Sequence, residues 1–314
     1  MKIIFLIILF PMFSLASVTD SLSSSYQQRF ARMLDDCDAC GCSATGGSMG
    51  FASLLNTNFI GVRYIYQRYA SNDGLYDNSP WQTEQFNSVQ LWGRIPVFRK
   101  VQLSVLIPYH YNTRETATGS NSISGVGDIS AIALYRLFQT TTDSTFFAHT
   151  VQMGAGIKAP TGKYDETNNG SINPGFQLGT GSWDYLFLAE HILRRKQFGF
   201  QSMFNYVVKT ANNKHYRFGN QFNYSGTLFW LHEKGDFSLS PQLGAAGEVS
   251  ENNSQFGQPV SKTSGSIVFG KIGLEAGFGK WSAGAQFFLP MQQNLTGGRV
   301  DAKYRLGLNV NYSL

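Results

Sequence analysis

The sequence predicts an all-β protein, a transmembrane antiparallel β-barrel of about twelve strands that follows a short N-terminal periplasmic helical segment. Three observations predict it: apolar and polar residues alternate with a period of two, long and short connections alternate, and aromatic residues collect at strand ends. The composition agrees, since 14% of the 314 residues are charged, 14% are aromatic and 33 are Gly. A soluble domain carries about 25% charged residues. The mean hydropathy of −0.17 argues against a bundle of membrane-spanning helices.

Residues 1–16 are predicted to be a cleaved export signal. Lys2 precedes an apolar run at residues 3–10, and Ser14 and Ala16 are the small residues that a signal peptidase reads. The apolar run is shorter than the roughly 20 residues that a spanning helix needs, so it is not interpreted as an anchor. Cleavage is expected after Ala16.

Residues 17–56 are predicted to form a periplasmic segment outside the barrel. Tyr26, Phe30, Met33 and Leu34 share one face of a helix, because they follow the spacing i, i+4, i+7 and i+8. A helix this short is marginal in water by itself, so its apolar face needs a docking surface. The barrel mouth or lumen would supply one, which makes this segment a candidate plug or gate.

Residues 57–314 are predicted to form the barrel. In each of twelve segments the apolar and polar residues alternate, and a strand places such residues on two opposite faces whereas a helix would scatter them. An even number of strands is expected when both chain ends face the periplasm. The predicted segments are 58–68, 86–97, 101–111, 125–138, 145–158, 177–191, 197–208, 216–231, 236–249, 263–278, 281–290 and 303–314.

The connections alternate between long polar loops and short turns. The long loops are predicted at about 70–85, 112–124, 159–176, 209–215, 250–262 and 291–302, and the short turns near residues 99, 142, 195, 234 and 280. Long extracellular loops and short periplasmic turns are typical of outer-membrane barrels. A soluble β-sandwich has no reason to alternate in this way.

Aromatic residues on the apolar face are sorted by strand end. One group lies beside the long loops (Tyr66, Tyr109, Tyr206, Phe287 and Tyr304), and another lies beside the short turns (Tyr135, Phe147, Trp230, Phe237, Trp281 and Tyr312). Two such groups are expected as girdles at the two boundaries between lipid and water. Closure of the barrel is also expected, because an unpaired strand edge in hydrocarbon costs several kcal/mol for each polar group.

Charged residues on the other face are candidates for lining the lumen. By the alternation these are Arg63, Arg94, Asp128, Arg136, Lys158, Asp184, Glu248, Glu275 and Arg305, together with Lys209 and Arg217. Both signs occur, so they either line a wet pore or pair with one another and close it. The net charge of +5 is dispersed along the chain, which indicates no nucleic-acid partner.

Three closely spaced cysteines, Cys37, Cys40 and Cys42, are the candidate metal ligands. Closely spaced thiolates suit soft cations, so Cu or Zn is a possible cofactor; no other cofactor is expected. The alternative is a disulfide with one spare thiol, since the periplasm is oxidising.

No constellation indicates an enzyme. Residues 46–50 fit G-x-S-x-G but lack the strand, helix, His and acid that a nucleophile elbow requires, so they are interpreted as a flexible linker. The five histidines, His110, His149, His191, His215 and His232, are scattered, and no two have zinc-ligand spacing.

Three short motifs resemble a known family. Gly-Val-Gly-Asp-Ile at 125–129, Leu-Ile-Pro-Tyr at 106–109 and Gly-Thr-Gly-Ser-Trp-Asp-Tyr at 179–185 are similar to motifs of the outer-membrane channel family named for meta-pathway phenol degradation. The resemblance covers about residues 57–314 and implies a transporter, although the family name does not make phenol the substrate. The C-terminal alternation resembles a barrel-assembly signal, but it ends in Leu314 where such signals usually end in Phe.

The expected function is therefore passive transport of small solutes, hydrophobic ones included, through a channel in the outer membrane of a Gram-negative bacterium. The expected partners are outer-membrane lipid, the barrel-assembly machinery and the small-molecule solute. A non-transport barrel whose Cys segment handles copper or zinc is the alternative, and a barrel enzyme is the third reading. A twelve-stranded barrel lies between eight strands, which side chains fill, and sixteen, which leave an aqueous channel, so a narrow or plugged lumen is expected.

Overall fold

The computed structural model of the chain describes residues 54–55, 58–72, 79–117, 119–140 and 147–314. The predicted leader, the predicted helix, the G-x-S-x-G sequence and the three cysteines lie outside the described residues. No helix in the described ranges is long and apolar enough to cross a membrane.

Twelve antiparallel strands close into one barrel, as the alternation predicted. The strands are β1 (Phe59–Ser71), β2 (Gln82–Phe98), β3 (Val101–Thr116), β4 (Gly119–Val126 and Ile129–Gln139), β5 (Ala148–Ala159), β6 (Asp184–Arg195), β7 (Phe198–Lys209), β8 (Gln221–Trp230, continued by His232–Lys234), β9 (Phe237–Ser250), β10 (Gly265–Phe278), β11 (Trp281–Leu295) and β12 (Val300–Ser313). Each strand pairs with its neighbours in the chain, and β1 also pairs with β12 from Phe59↔Ser313 to Ser71↔Val300. That last pairing removes the sheet edges.

The two faces of each strand differ as predicted. Along β1, Phe59, Arg63 and Gln67 point inward and are at most 5% exposed, whereas Ile60 and Val62 point outward and are 46% and 50% exposed. The outer surface is apolar along the other strands too, and this is the surface that lipid requires. The polar and charged side chains of the strands therefore collect inside the barrel.

Aromatic residues of both predicted girdles contact one another. Beside the long loops the Tyr304 ring lies 5.7 Å from that of Tyr66 and 5.9 Å from that of Phe287. Beside the short turns the rings of Trp281 and Tyr312 are 5.0 Å apart. We call these two ends of the barrel the long-loop end and the short-turn end.

Tight turns at the short-turn end depend on residues with positive φ. Gly235 and Gly279 have φ of 61° and 57°, and an added Cβ would meet no atom within 4 Å at either. Glycine is thus favoured there by backbone conformation and not by lack of space. Lys196 takes a φ of 54° in the turn between β6 and β7.

The predicted loop at 112–124 was wrong, because these residues form a tight hairpin. β3 continues to Thr116 and the first part of β4 pairs with it from Gly119↔Thr116 to Val126↔Tyr109. Ile123 of this hairpin packs against buried apolar side chains inside the barrel. The hairpin therefore persists past the girdle because one of its faces is partly buried.

Other predicted boundaries moved as well; for example, the strand predicted at 216–231 begins at Gln221. The loop at 291–302 shrinks to residues 296–299, since Gly297 and Gly298 take positive φ and allow a tight connection. The strand predicted at 177–191 begins only at Asp184, because residues 177–183 belong to a loop that folds into the barrel.

Candidate functional site

The lumen wall is charged over much of its surface. Nine of the eleven predicted lumen residues lie inside the barrel with exposed fractions of at most 8%, namely Arg63, Arg94, Asp128, Lys158, Asp184, Lys209, Glu248, Glu275 and Arg305. Arg217 lies instead in a two-residue strand, Tyr216–Arg217, of a small sheet outside the barrel strands. Arg136 is half-buried at the short-turn end, where its guanidinium donates hydrogen bonds of 2.8 Å to the Gln139 side chain and to the Arg99 carbonyl. Buried charges are costly unless paired, so their partners show how the lumen is organised.

Four of these charges form one neutral cluster near the long-loop end, on β4 to β7. The Lys158 ammonium lies 2.8 Å from an Asp128 oxygen and 2.6 Å from an Asp184 oxygen. The Lys209 ammonium lies 3.3 Å from Asp184. Because two cations face two carboxylates, each charge keeps a partner although the side chains are at most 3% exposed.

Asp128 also fixes both ends of residues 160–183, which we call the inward loop. One Asp128 oxygen accepts the Gly162 amide at 3.0 Å, and the other accepts the Thr180 amide at 2.9 Å. Lys158 donates to the Thr180 hydroxyl at 2.7 Å. The buried charge cluster is thus the base on which this loop is built.

The inward loop crosses the lumen. It joins β5 to β6, yet the Asn173 amide donates to Glu84 on β2 at 2.7 Å, and the Ser171 hydroxyl also donates to Glu84. Phe176 is fully buried, with its ring centroid 5.9 Å from that of Phe86 on β2. These contacts join the loop to β2, three to four strands away around the barrel from β5 and β6, so the loop lies across the long-loop end.

Hydrogen bonds inside the loop give it a defined shape. Asp165 accepts the Thr167 hydroxyl and the Asn169 amide, and these bonds hold the pKa of Asp165 below its ordinary value. The Gln177 amide donates to the Asp165 carbonyl at 2.7 Å and to the Asn168 side chain at 2.9 Å. Because these hydrogen bonds link its residues to one another, the loop lies across the lumen in one defined conformation.

A second buried cluster lies beyond the tip of the inward loop. The Arg305 guanidinium pairs with Glu248, donates to the Tyr69 hydroxyl at 2.6 Å and lies 4.2 Å from the Phe269 ring centroid. Tyr69, Glu248 and Arg305 line a cavity of about 100 Å³ together with residues 173–175 of the inward loop. That volume is enough for a few water molecules.

An apolar wall runs along the inside of the barrel. The side chains of this wall contact one another, and each is at most 4% exposed. They are Phe59, Trp92, Leu106, Ile132, Leu134, Leu186, Leu188, Met203 and Val207. Arg63 adjoins this wall: its guanidinium lies 4.8 Å from the Trp92 ring centroid and donates to the Gln90 side-chain oxygen Oε1 at 2.6 Å. The barrel interior therefore holds a packed apolar cluster on one side and hydrogen-bonding groups beside it.

The short-turn end is narrowed by residues that precede β1. The Leu54 amide donates to the Glu275 carboxylate at 2.6 Å, and the Leu54 side chain is 5% exposed. It packs with Ile192 of β6, Phe229 of β8 and Leu231, which lies between the two parts of β8. The described part of the predicted plug segment thus lies inside the barrel mouth.

Sequence reasoning missed two features of the barrel wall. Glu84 fell in a predicted loop, although it is fully buried and holds the inward loop. His149 and His191 are far apart in the sequence, yet His149 Nδ1 and His191 Nε2 are 3.1 Å apart on the outer surface of β5 and β6. Strand pairing brings the two imidazoles together, and no local pattern indicates it.

The metal hypothesis concerns Cys37, Cys40 and Cys42, outside the described residues. Within the described ranges, no three His, Cys, Asp or Glu side chains are placed to hold a metal ion.

Comparison with known proteins gives a family and a fold. The model of the family described as "Putative MetA-pathway of phenol degradation" matches residues 92–311. Among curated proteins no match was found. An outer membrane channel from Pseudomonas putida F1 has a similar structure, with 14% identity, a TM-score of 0.58 and coverage of 81% of this chain and 95% of that one.

More distant structural neighbours are a FadL homologue from Pseudomonas aeruginosa and the monoaromatic hydrocarbon channel CymD. The FadL homologue has 7% identity and a TM-score of 0.40 over 83% of this chain and 91% of that one. CymD has 8% identity and a TM-score of 0.34 over 82% of this chain and 88% of that one.

Proposed function

The chain belongs to the family described as "Putative MetA-pathway of phenol degradation", and we propose that it is an outer-membrane channel for passive transport of small solutes, hydrophobic ones included. The observation that carries this proposal is the apolar wall inside the barrel, which lies between the inward loop and Leu54. On this view the protein is not an enzyme, and its selectivity comes from the lumen.

The apolar outer surface supports a membrane location. A closed barrel with an apolar outer band and two aromatic girdles matches the outer membrane, where single-chain barrels reside. The long-loop end is then extracellular and the short-turn end periplasmic. Insertion of such a barrel would use the barrel-assembly machinery.

The two obstructions explain how an apolar route would stay selective. With the inward loop in place the cavity between residues 173–175 of that loop and Arg305 is about 100 Å³, too small for more than a few waters. Ions and sugars would be excluded in that state. A small apolar solute gains free energy when it leaves water for the apolar wall that begins at Leu186 and Val207, so it would pass when the loop shifts.

The test measures permeation through the purified full chain in vesicles with lipopolysaccharide in the outer leaflet. We expect the wild type to admit a monocyclic apolar solute faster than a sugar of similar size, and to show small conductance in planar bilayers. Leu134→Lys places a charge in the apolar wall and should slow the apolar solute selectively. The control is Phe256→Ala, since Phe256 is 71% exposed in a loop and away from the lumen.

Two results would contradict the channel. One is that the inserted wild-type barrel admits neither solute and that a variant without the inward loop conducts no ions either. The other is an apolar flux that Leu134→Lys leaves unchanged.

A further inference from the structure

A groove lies on the outer surface of the barrel, at the short-turn end of β5 to β8. Its volume is about 700 Å³, within the range of about 300–1,000 Å³ that small-molecule sites occupy. Five apolar side chains line it: Phe147, Leu193, Phe198, Phe200 and Leu228. These residues point outward, so the groove faces the membrane and not the lumen.

Two cations stand at the rim of this groove. Arg195 and Lys196 both line it, and the Arg195 guanidinium lies 5.3 Å from the centroid of the Phe147 ring. Phe147 belongs to the girdle beside the short turns, so these charges lie at the boundary between lipid and water. Neither cation has a carboxylate within ion-pair distance in the part of the chain that the structure describes.

The neighbouring Arg194 holds the turn that carries these two cations. Arg194 points inward, lies 3.6 Å from Glu233, and donates from Nε to the Lys196 carbonyl at 2.8 Å. That hydrogen bond braces the turn in which Lys196 has a φ of 54°. The turn is therefore fixed from inside the barrel, while Arg195 and Lys196 are left on the outside.

We propose that this groove binds one anionic phospholipid of the periplasmic leaflet. The phosphate contacts Arg195 and Lys196, since a guanidinium can hold two phosphate oxygens at once and an ammonium adds a second charge. An acyl chain lies against Phe198, Phe200 and Leu228. A net negative headgroup is favoured because it faces two cations that have no acidic partner among the described residues.

The charges distinguish this occupant from two others. A second copy of the chain would bring the same two cations against themselves if it docked symmetrically at this groove, and like charges oppose such contact. A transported apolar solute carries no charge, so it would not bind to the two cations at the rim. The inference rests on the proposed membrane location and not on channel activity, so a failure of transport would leave it standing.

The test uses the full chain in detergent, with lipid binding followed by native mass spectrometry. The probes are phosphatidylglycerol and phosphatidylethanolamine with identical acyl chains. We expect the wild type to bind phosphatidylglycerol more tightly, and Arg195→Ala and Lys196→Ala each to weaken that binding roughly fivefold, which corresponds to about 1 kcal/mol per cation. The double variant should bind the two lipids equally.

Two more variants distinguish a specific lipid site from general electrostatic attraction between anionic lipids and surface cations. Leu228→Trp should fill the groove and weaken both lipids, and it is tolerated by the fold because Leu228 is 58% exposed on the outer surface. Lys280→Ala should change nothing, although Lys280 also lies over a girdle ring, 5.4 Å from the centroid of Tyr312. Equal binding of both lipids by the wild type, or equal losses in Lys280→Ala and Arg195→Ala, would overturn the proposal. If the wild type forms a dimer that Leu228→Trp abolishes, the groove is an interface between two copies of the chain and not a lipid site.

Discussion

At the residue scale, stability at the long-loop end depends on Lys158. Its ammonium lies between Asp128 and Asp184 and is fully buried. Lys158→Met leaves Asp128 as a buried charge without a cation, which should lower the free energy of unfolding by about 3–5 kcal/mol. Urea unfolding in lipid vesicles measures it.

A surface ion pair provides the matched control. Lys214 pairs with Glu166 at 2.7 Å, but both side chains are more than half exposed, so water screens the pair. Lys214→Met should leave the unfolding midpoint unchanged. If both Lys→Met variants unfold alike, the buried cluster has no special role in stability.

A second residue-scale prediction concerns Glu84, whose carboxylate accepts from Ser71, Ser171 and Asn173. Glu84→Gln replaces one acceptor oxygen by a donor, so at least one of these bonds to a charged group is lost. Such bonds contribute roughly 1.5–3 kcal/mol, enough to raise transient opening of the loop by about tenfold or more.

The measurement is thiol labelling of Ile172→Cys in a Cys-free background, because Ile172 lies in the inward loop and is partly buried against the interior apolar cluster. Labelling of the introduced Cys should be slow when Glu84 is present and about tenfold or more faster in the Glu84→Gln variant. Unchanged labelling would mean that Asp128 alone holds the loop. The comparison variant is Gln85→Glu, next along β2 but on the outer face.

At the element scale, the strands could be predicted and the inward loop could not. Alternation is local, so β1 and β12 were recognisable from their own residues. The inward loop is held by Asp128 between the two parts of β4 and by Glu84 on β2, and these contacts join residues 34 to 89 positions apart. Asp128 and Asp184 were found because the alternation places them on the inner face of predicted strands, whereas Glu84 fell in a predicted loop. A loop's direction is decided by distant partners, and no pattern within it encodes them.

The segment before β1 gives a prediction about the short-turn end. Deletion of residues 17–56 removes Leu54 from its contacts with Glu275 and Phe229, so conductance should rise. Deletion of residues 17–53 keeps those contacts, and comparing the two in planar bilayers isolates the contribution of residues 54–56. Equal conductance of the wild type and both deletions, with normal insertion, would refute the plug.

The same segment carries the metal hypothesis. Cys37, Cys40 and Cys42 are expected to bind Cu(I) or zinc when reduced, since closely spaced thiolates favour soft ions. A thiol count on fresh protein, followed by metal titration of the wild type and a triple Cys→Ser variant, measures it. Binding no tighter in the wild type than in the variant would leave a disulfide as the role of these residues.

At the scale of the whole molecule, charge and polarity are sorted by surface. Paired charges lie inside the barrel, apolar side chains cover the outside, and polar loops lie at one end. Closure between β1 and β12 makes this sorting possible in a membrane, because each barrel strand then has two neighbours to pair with. Sequence alternation predicts the two faces, and alternating connection lengths predict which end is which.

The orientation of the barrel in the membrane is the last prediction. We expect the loops that contain Asn168 and Asn253 to be extracellular, and Arg195 and Lys280 to be periplasmic, since long loops face outward in such barrels. Asn253 is only 4% exposed, so Phe256, 71% exposed in the same loop, is the better reporter. In a Cys-free background, a membrane-impermeant reagent on intact cells should label Thr167→Cys and Phe256→Cys but not Arg195→Cys or Lys280→Cys. Permeabilised cells should label all four, which shows that the periplasmic thiols are accessible. Labelling of position 195 but not of position 167 in intact cells would reverse the topology and move the groove at Arg195 to the leaflet that holds lipopolysaccharide.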